Sequence, residues 1–543
     1  MIISRGPARP STLPRLLAFA AALAGAAAWI VFFRSGLVLS HYDARAHLVV
    51  ARRVFDNLTP GWQQIGAVWL PLPHLIDLLP AQVDFLYRTG LFASLVSITC
   101  LAVTSYAAAR LVLRVTGSGL GACICTALLV LNPNLLYLHT TPMTEPLLLA
   151  TTALAVLWLL EWVEDPGFGI RDSGFGVPPT LAAALFAAMW TRYEAWAVIG
   201  AALLAAGYAT WRRGAPIDTL LRRGWRLTIW PVLAVAIFVV NSRITVGAWF
   251  VSDGFYVLDP SYADRPMRTL VGIWWGTHQL SGYAIETIAL AAAVAIAWRA
   301  FALKEDSALL ITLALFATAV VPIVAFYQGH PYRIRYMIPV VAACAVFCGL
   351  AVGLVERAFD LGHRGHREHR VQKNLTDLGV SVAKTLAVVL LGSILVESPL
   401  WNMQAPMLLE AQWDRGASLG RRDVTACLAR EYSGDKVLAS MGSLAHYMHE
   451  LSNSGFAIAD FINEGNGEIW NLALQTGPAP HAGWMLVEEV AEGGDVLAER
   501  VRRDPAFTRG MMRVCEGGGV ALYRRAVMQN SKLPTTSQNA SLR

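Results

Sequence analysis

The stretch "LLAFAAALAGAAAWIVFF" (residues 16–33) decides how this chain is read. Arg5, Arg9 and Arg15 precede it, and the embedded "AGAAAW" imitates a signal-peptidase site. The apolar run continues past that site and is too long for an ordinary signal h-region, so it reads as an uncleaved anchor. The rest of the chain has the same character. Of 543 residues, 55% are hydrophobic and 15% charged, and mean hydropathy is positive. Further apolar runs fall at 86–113, 120–138, 146–163, 181–190, 195–210, 227–246, 283–298, 308–326, 336–355 and 380–396. The expected fold class is an α-helical polytopic membrane protein with about eleven transmembrane helices. The net charge of +6 comes with no zinc-finger or RNA-binding signature, so no nucleic acid is expected as a partner. Seven cysteines are too few for a disulfide scaffold.

Loop charges set an orientation. The basic segments 211–226 and 356–373 belong on the side of the N-terminus. If 181–210 is a short hairpin, Arg110, Arg114, Arg299 and Lys304 fall inside as well, and the positive-inside rule holds throughout. The expectation is a multi-pass protein of the cell (inner or plasma) membrane with a cytoplasmic N-terminus. The loop 37–85, the turn 191–194, the loops 247–280 and 328–335, and everything after 397 then lie outside. Residues 1–399 read as the membrane domain. Residues 400–527 carry short β-like runs ("DKVLASMG", "GFAIADF", "GWMLVEEV", "GVALYRR") between helical segments such as "GDVLAERVRRD". They read as a small extracytoplasmic α/β domain, with a disordered tail at 528–543. Cys427 and Cys515 fall in this domain, where a disulfide and two free thiols are both open.

The outer side carries charges that orientation does not explain. In "SHYDARAHLVVARR" (40–53), a helix would put Asp43, His47, Val50 and Val54 on one stripe, with Arg45 and Arg52 opposite. The valines should pack inward and take Asp43 and His47 with them. An acid at the membrane rim is costly unless it is used or paired. The plain alternative is a structural Asp–Arg pair or a helix cap. "HTTPMTEPLLLA" (139–150) sets Glu145 at a helix start, where a carboxylate also suits the dipole. "WTRYEAW" (190–196) interrupts an apolar stretch with Arg192, Tyr193 and Glu194, which could equally form a turn ion pair. "GHPYRIRYMIP" (329–339) brings Arg333 and Arg335 to the start of another helix.

Arginine should be scarce outside, yet Arg45, Arg88, Arg192, Arg333 and Arg335 are all there. Singly, each has an internal partner or snorkels. As a set they suit a phosphate-bearing ligand, because the guanidinium fork matches its oxygens. A divalent metal stays open, with His47, His139 and His278 as candidate ligands, although no HExxH or CxxC spacing supports one. "HRGHREH" (363–369) reads as a solvated basic loop.

An N-terminal anchor, an acid early in the first external loop, "TEP" at a helix start, "TRYE" in a short hairpin and "RYMIP" late in the helical region together resemble the GT-C superfamily. Within it, the chain resembles the group containing protein O-mannosyltransferases and lipid A aminoarabinose transferases. That resemblance covers roughly residues 10–400. It implies an enzyme moving a hexosyl or pentosyl group from a polyprenyl-phosphate carrier to a lipid, glycan or protein acceptor. It implies Asp43 as the first-loop acid, Glu145 as the second acid, and Arg335 as a contact for the carrier phosphate. The mannosyltransferases have adjacent acids where this chain has Asp43 and Ala44. Three other readings compete: a flippase for a lipid-linked sugar, which should show internal repeats that are not seen; a non-catalytic membrane subunit carrying its tail domain as the binding module; and an oligosaccharide ligase or polymerase using a diphosphate carrier.

Overall fold

The structure, a computed structural model, describes residues 11–164, 176–251, 256–358, 369–490 and 494–526, without the side chains of 305 and 369–376. The side chains of the histidine-rich stretch 363–369 and the 528–543 tail lie outside the described residues. Two compact units emerge: Met1–Asp56 with Pro60–Gly416, and Asn57–Thr59 with Ala417–Arg543.

The first unit is helical. Its chain runs through α1 (Leu13–Arg34), α2 (Tyr42–Arg52), α3 (Leu72–Asp77), α4 (Asp84–Thr89), α5 (Leu91–Thr116), α6 (Gly119–Leu131) and α7 (Pro133–Leu138). It continues through α8 (Glu145–Glu164), α9 (Pro179–Met189), α10 (Glu194–Arg212), α11 (Ile217–Val246), α12 (Pro266–Ser281) and α13 (Tyr283–Ala302). Last come α14 (Leu310–Leu313), α15 (Val320–Tyr327), α16 (Ile338–Ala358), α17 (His369–Glu397) and α18 (Pro406–Gln412). Every apolar run of the sequence coincides with helix. Eight segments among the described residues are long and apolar enough to cross a bilayer. The runs at 120–138, 181–190 and 195–210 are not among those eight, so a count of eleven crossings does not follow. Helix α12 falls in a stretch read as loop, because Trp274, Trp275, Gly276, Thr277 and His278 dilute its hydropathy.

Burial matches a membrane protein. Leu16, Phe19 and Leu23 of α1 and Val240 and Ile244 of α11 are exposed. Faces like these are stable only against hydrocarbon. Helix α16 is the opposite, buried from Ile338 through Gly353. It meets α6 almost backbone to backbone: a Cβ added to Gly121 would lie 2.4 Å from the Gly349 carbonyl, and one added to Gly349 would lie 2.6 Å from that of Gly121. Without a hydrophobic drive between helices in lipid, such small-residue contacts supply the packing.

The second unit holds α19 (Arg415–Glu431), β1 (Val437–Ala439), α20 (Met441–Leu451), β2 (Phe461–Ile462), α21 (Glu468–Thr476), β3 (Trp484–Glu488), α22 (Val496–Arg503), β4 (Met511–Gly517) and β5 (Val520–Arg525). Its five-stranded sheet has the order β2-β1-β3-β5-β4. β2, β1 and β3 are parallel, and the β4–β5 hairpin adds antiparallel to β3. The hairpin turns on Gly518 and Gly519, at φ +56° and +77°, the pairing that a two-residue primed turn needs. β4 lies outside the strand-like runs of the sequence; it is an edge strand whose Met512 and Val514 are exposed. Cys427 and Cys515 are joined in a disulfide across 88 residues.

Candidate active site

Three helices begin with an acid at the same place. Helix α2 has Asp43 in its first turn, α8 opens on Glu145, and α10 opens on Glu194. Each carboxylate complements the positive end of its helix, which explains why the sequence tolerates it there. Helix α2 is capped by His41, whose ring nitrogen accepts from the Asp43 amide at 3.0 Å. Helix α8 follows Pro142, with Pro146 at its second residue, where a missing N–H costs nothing. Arg192 lies in the turn between α9 and α10, and Arg335 in the short 3-10 turn Ile334–Met337 that leads into α16.

Arg335 is the hub. Its Nη2 pairs with Asp43, its Nη1 lies 3.4 Å from His41, and its Nε lies 3.8 Å from Glu145 and 3.9 Å from Glu410. Arg192 forms the second node: Nη2 reaches Glu194 at 2.7 Å, and Nη1 reaches Glu145 at 3.1 Å and Thr144 Oγ1 at 2.9 Å. Both guanidiniums approach the Tyr336 ring, at 5.7 Å for Arg192 and 5.3 Å for Arg335. The side chain of Glu145 is only 1% exposed, yet neither of its oxygens has an aligned hydrogen bond; the arginine contacts are ionic in distance but not in geometry. Four carboxylates therefore surround two guanidiniums in a nearly dry space. Such an arrangement costs more in desolvation than it returns in stability, unless function retains it.

Burial would raise the Asp43 carboxyl, but Arg335, with His41 and His47 nearby, holds it well below the ordinary carboxylate range. Glu410 is also lowered: burial raises it, and the His41 hydrogen bond and Arg335 outweigh that. His47 is neutral at pH 7, pushed down to about 3 by burial and the two arginines against the pull of Asp43. Its Nδ1 is 3.0 Å from Nε2 of His74, and Trp69 packs on both rings.

The sequence-named residues divide accordingly. Asp43, His47, Glu145, Arg192, Glu194 and Arg335 come together. Arg333 is adjacent, over the Trp413 ring at 5.5 Å. Tyr193 donates to the Val68 carbonyl at 2.9 Å and packs edge-on against Trp196 and Phe250. Arg45 pairs with Asp414 at 3.7 Å, and Arg88 with Asp84 at 3.0 Å. His139 hydrogen-bonds the Leu135 carbonyl, and His278 stacks on Tyr283. Among the described residues no three His, Cys, Asp or Glu side chains stand close enough to hold a metal ion, so His47, His139 and His278 do not form one donor set.

Glu410 was not foreseen. It accepts from the Ile334 amide at 2.8 Å and lies 3.4 Å from His41, bracing the turn that carries Arg335. Its one sequence signal is a carboxylate inside the short apolar helix "PMLLEAQ". Thr144 and Tyr336 were likewise unmarked, since neither residue type stands out at a helix start.

No protein-family model matches the chain, and no curated protein matches it in sequence. Its structure does find neighbours. It matches the crystal structure of ArnT from Cupriavidus metallidurans bound to undecaprenyl phosphate, with a TM-score of 0.53 at 12% identity over 93% of this chain and 98% of that one. The chain therefore shares the fold of ArnT over nearly its whole length. Apo ArnT from the same organism gives 0.47 at 14% identity, over 92% and 98%.

Proposed function

We propose that this protein is an integral-membrane glycosyltransferase that moves a hexosyl or pentosyl group from a polyprenyl-phosphate carrier to an acceptor hydroxyl on the extracytoplasmic side, with inversion. The observation that carries the reading is the hub: one buried guanidinium, Arg335, shared by Asp43, His41, Glu145 and Glu410. The ArnT structure of the same fold is bound to undecaprenyl phosphate, which supports a carrier of that class.

The chemistry follows from the charges. A glycosyl phosphate already has a stable anion as leaving group, so it needs electrostatic stabilisation more than protonation. Arg335 and Arg192 supply that. The incoming phosphate competes with Asp43 for Arg335. As the ion pair loosens, the Asp43 carboxyl rises from its depressed value and becomes a stronger base just when substrate is present. Asp43 then takes the acceptor hydroxyl proton. The new C1–oxygen bond forms as the C1–phosphate oxygen bond breaks, and the carrier leaves as its phosphate. A single base with direct attack gives inversion. Glu145 and Glu194 hold Arg192, and Glu410 positions Arg335. The N-terminus is cytoplasmic, and the second unit lies on the extracytoplasmic side.

The test is mass spectrometry of lipid-linked sugars and surface glycans in cells with the protein, without it, and with Asp43→Asn. Deletion and Asp43→Asn should both accumulate one polyprenyl-phosphate sugar and lose one glycan modification. An unchanged lipid pool in both strains would end the proposal.

A further inference from the structure

Between α3, α5 and the segment 142–147 lies a pocket of about 350 Å³, counting its open mouth. His47 and Thr144 form part of its wall. His47 is one helical turn beyond Asp43, and Thr144 accepts a hydrogen bond from Arg192, so this wall is the flank of the charged cluster. Much of the remaining lining is apolar, including Ile76, Val96 and Leu147. Asp77 is the one carboxylate among the lining residues. It ends α3 and lines the pocket, and its Oδ1 is enclosed without a hydrogen-bond partner. No ion pair among the described residues reaches it. Burial pushes its carboxyl up to about 7, opposite in direction to Asp43.

An enclosed carboxyl oxygen with nothing to bond is expensive, and packing alone would favour an apolar residue there. A ligand that brings a donor to Asp77 relieves that cost. Above about pH 7, where the Asp77 carboxyl is ionised, a ligand that brings an anion meets like charge in a low-dielectric wall and is turned away. Resting on the glycosyltransferase reading above, we infer that this pocket seats the acceptor. Asp77 selects an acceptor with a non-anionic hydrogen-bond donor, a hydroxyl or an amine, on an apolar body, and rejects phosphate-headed ones. Asp77 is thus a specificity residue. It approaches the cluster from the α3 side and takes no part in bond making.

The experiment uses the full-length Ile76→Cys protein in lipid nanodiscs. Alkylation of the introduced thiol by N-ethylmaleimide is followed by peptide mass spectrometry with decyl alcohol, decylamine or decyl phosphate present. Alcohol and amine should slow alkylation about tenfold at concentrations where the phosphate has no effect, the scale of one hydrogen bond to a charged group. In Ile76→Cys with Asp77→Leu the three compounds should act alike. In Ile76→Cys with Asp77→Asn, the isosteric control for folding, protection by the alcohol should persist and protection by the amine should fall. Equal or better protection by decyl phosphate, no protection by any compound, or an unchanged ranking in Asp77→Leu would overturn the assignment. Undecaprenyl phosphate binding to the same preparation is read separately by native mass spectrometry. Its absence would count against the enzyme reading and leave the pocket's preference standing.

Discussion

Helix α8 carries buried acid–arginine contacts at both ends, and the two ends are built differently. At its C-terminal end, Glu161 takes a two-pronged bond from Arg110 at 2.7 and 3.0 Å, and Glu164 takes one from Arg114 at 2.7 Å. Each acid there has an aligned partner. About 24 to 28 Å away along the helix, Glu145 touches two arginines and is aligned with neither. The first end resembles a finished structural joint. The second is over-supplied with acids and poorly satisfied, as a site waiting for another charge would be. Composition does not separate them; alignment does.

That contrast can be broken by mutation. Asp43→Asn should lower transfer about 10²- to 10⁴-fold, while Glu161→Gln should leave it within about twofold; the readout is glycan mass spectrometry. A comparable loss in Glu161→Gln would erase the distinction. In unfolding measurements, Arg335→Met should cost about 3–5 kcal/mol because it strands several buried acids. Arg110→Met should cost about 3 kcal/mol, and adding Glu161→Leu should bring stability back close to the parent. A double variant no better than the single would mean that the C-terminal joint is more than a pair.

The pH responses sharpen the picture, and the two acids have opposite signs. The folded value of Asp43 lies below its unfolded one, so its stabilisation is complete above the ordinary carboxylate range and is lost as pH falls toward the folded value. Asp43→Asn should flatten the decline in thermal midpoint below about pH 4. The folded value of Asp77 is raised to about 7, so the protein loses stability as pH rises from the ordinary carboxylate range to that value. Asp77→Asn should therefore stabilise by up to about 4 kcal/mol at pH 8 and much less at pH 4. Equal gains at both would show that the Asp77 carboxyl is not raised.

Much of this was legible beforehand, for physical reasons. Hydrocarbon demands long apolar runs, so the helices announce themselves, and an acid or arginine among them is conspicuous; Asp43, Glu145, Arg192 and Arg335 were found that way. Helix α12 was hidden by its aromatic and polar surface, and β4 by being a half-exposed edge. Glu410 reaches the cluster from 367 residues beyond Asp43, across a contact no local pattern encodes. Asp77 has no sequence signal that sets it apart. Only an enclosed oxygen with nothing to bond distinguishes it.

The Gly121–Gly349 contact has a consequence for anyone surveying variants. Two helices touching main chain to main chain move as one beam, and Arg335 rides at the tip of that beam, about 21 Å along α16 from Gly349. A bulky replacement at Gly121 would tilt the tip and silence the protein. A screen that scored turnover alone would then file a remote hinge point among the residues that do the chemistry.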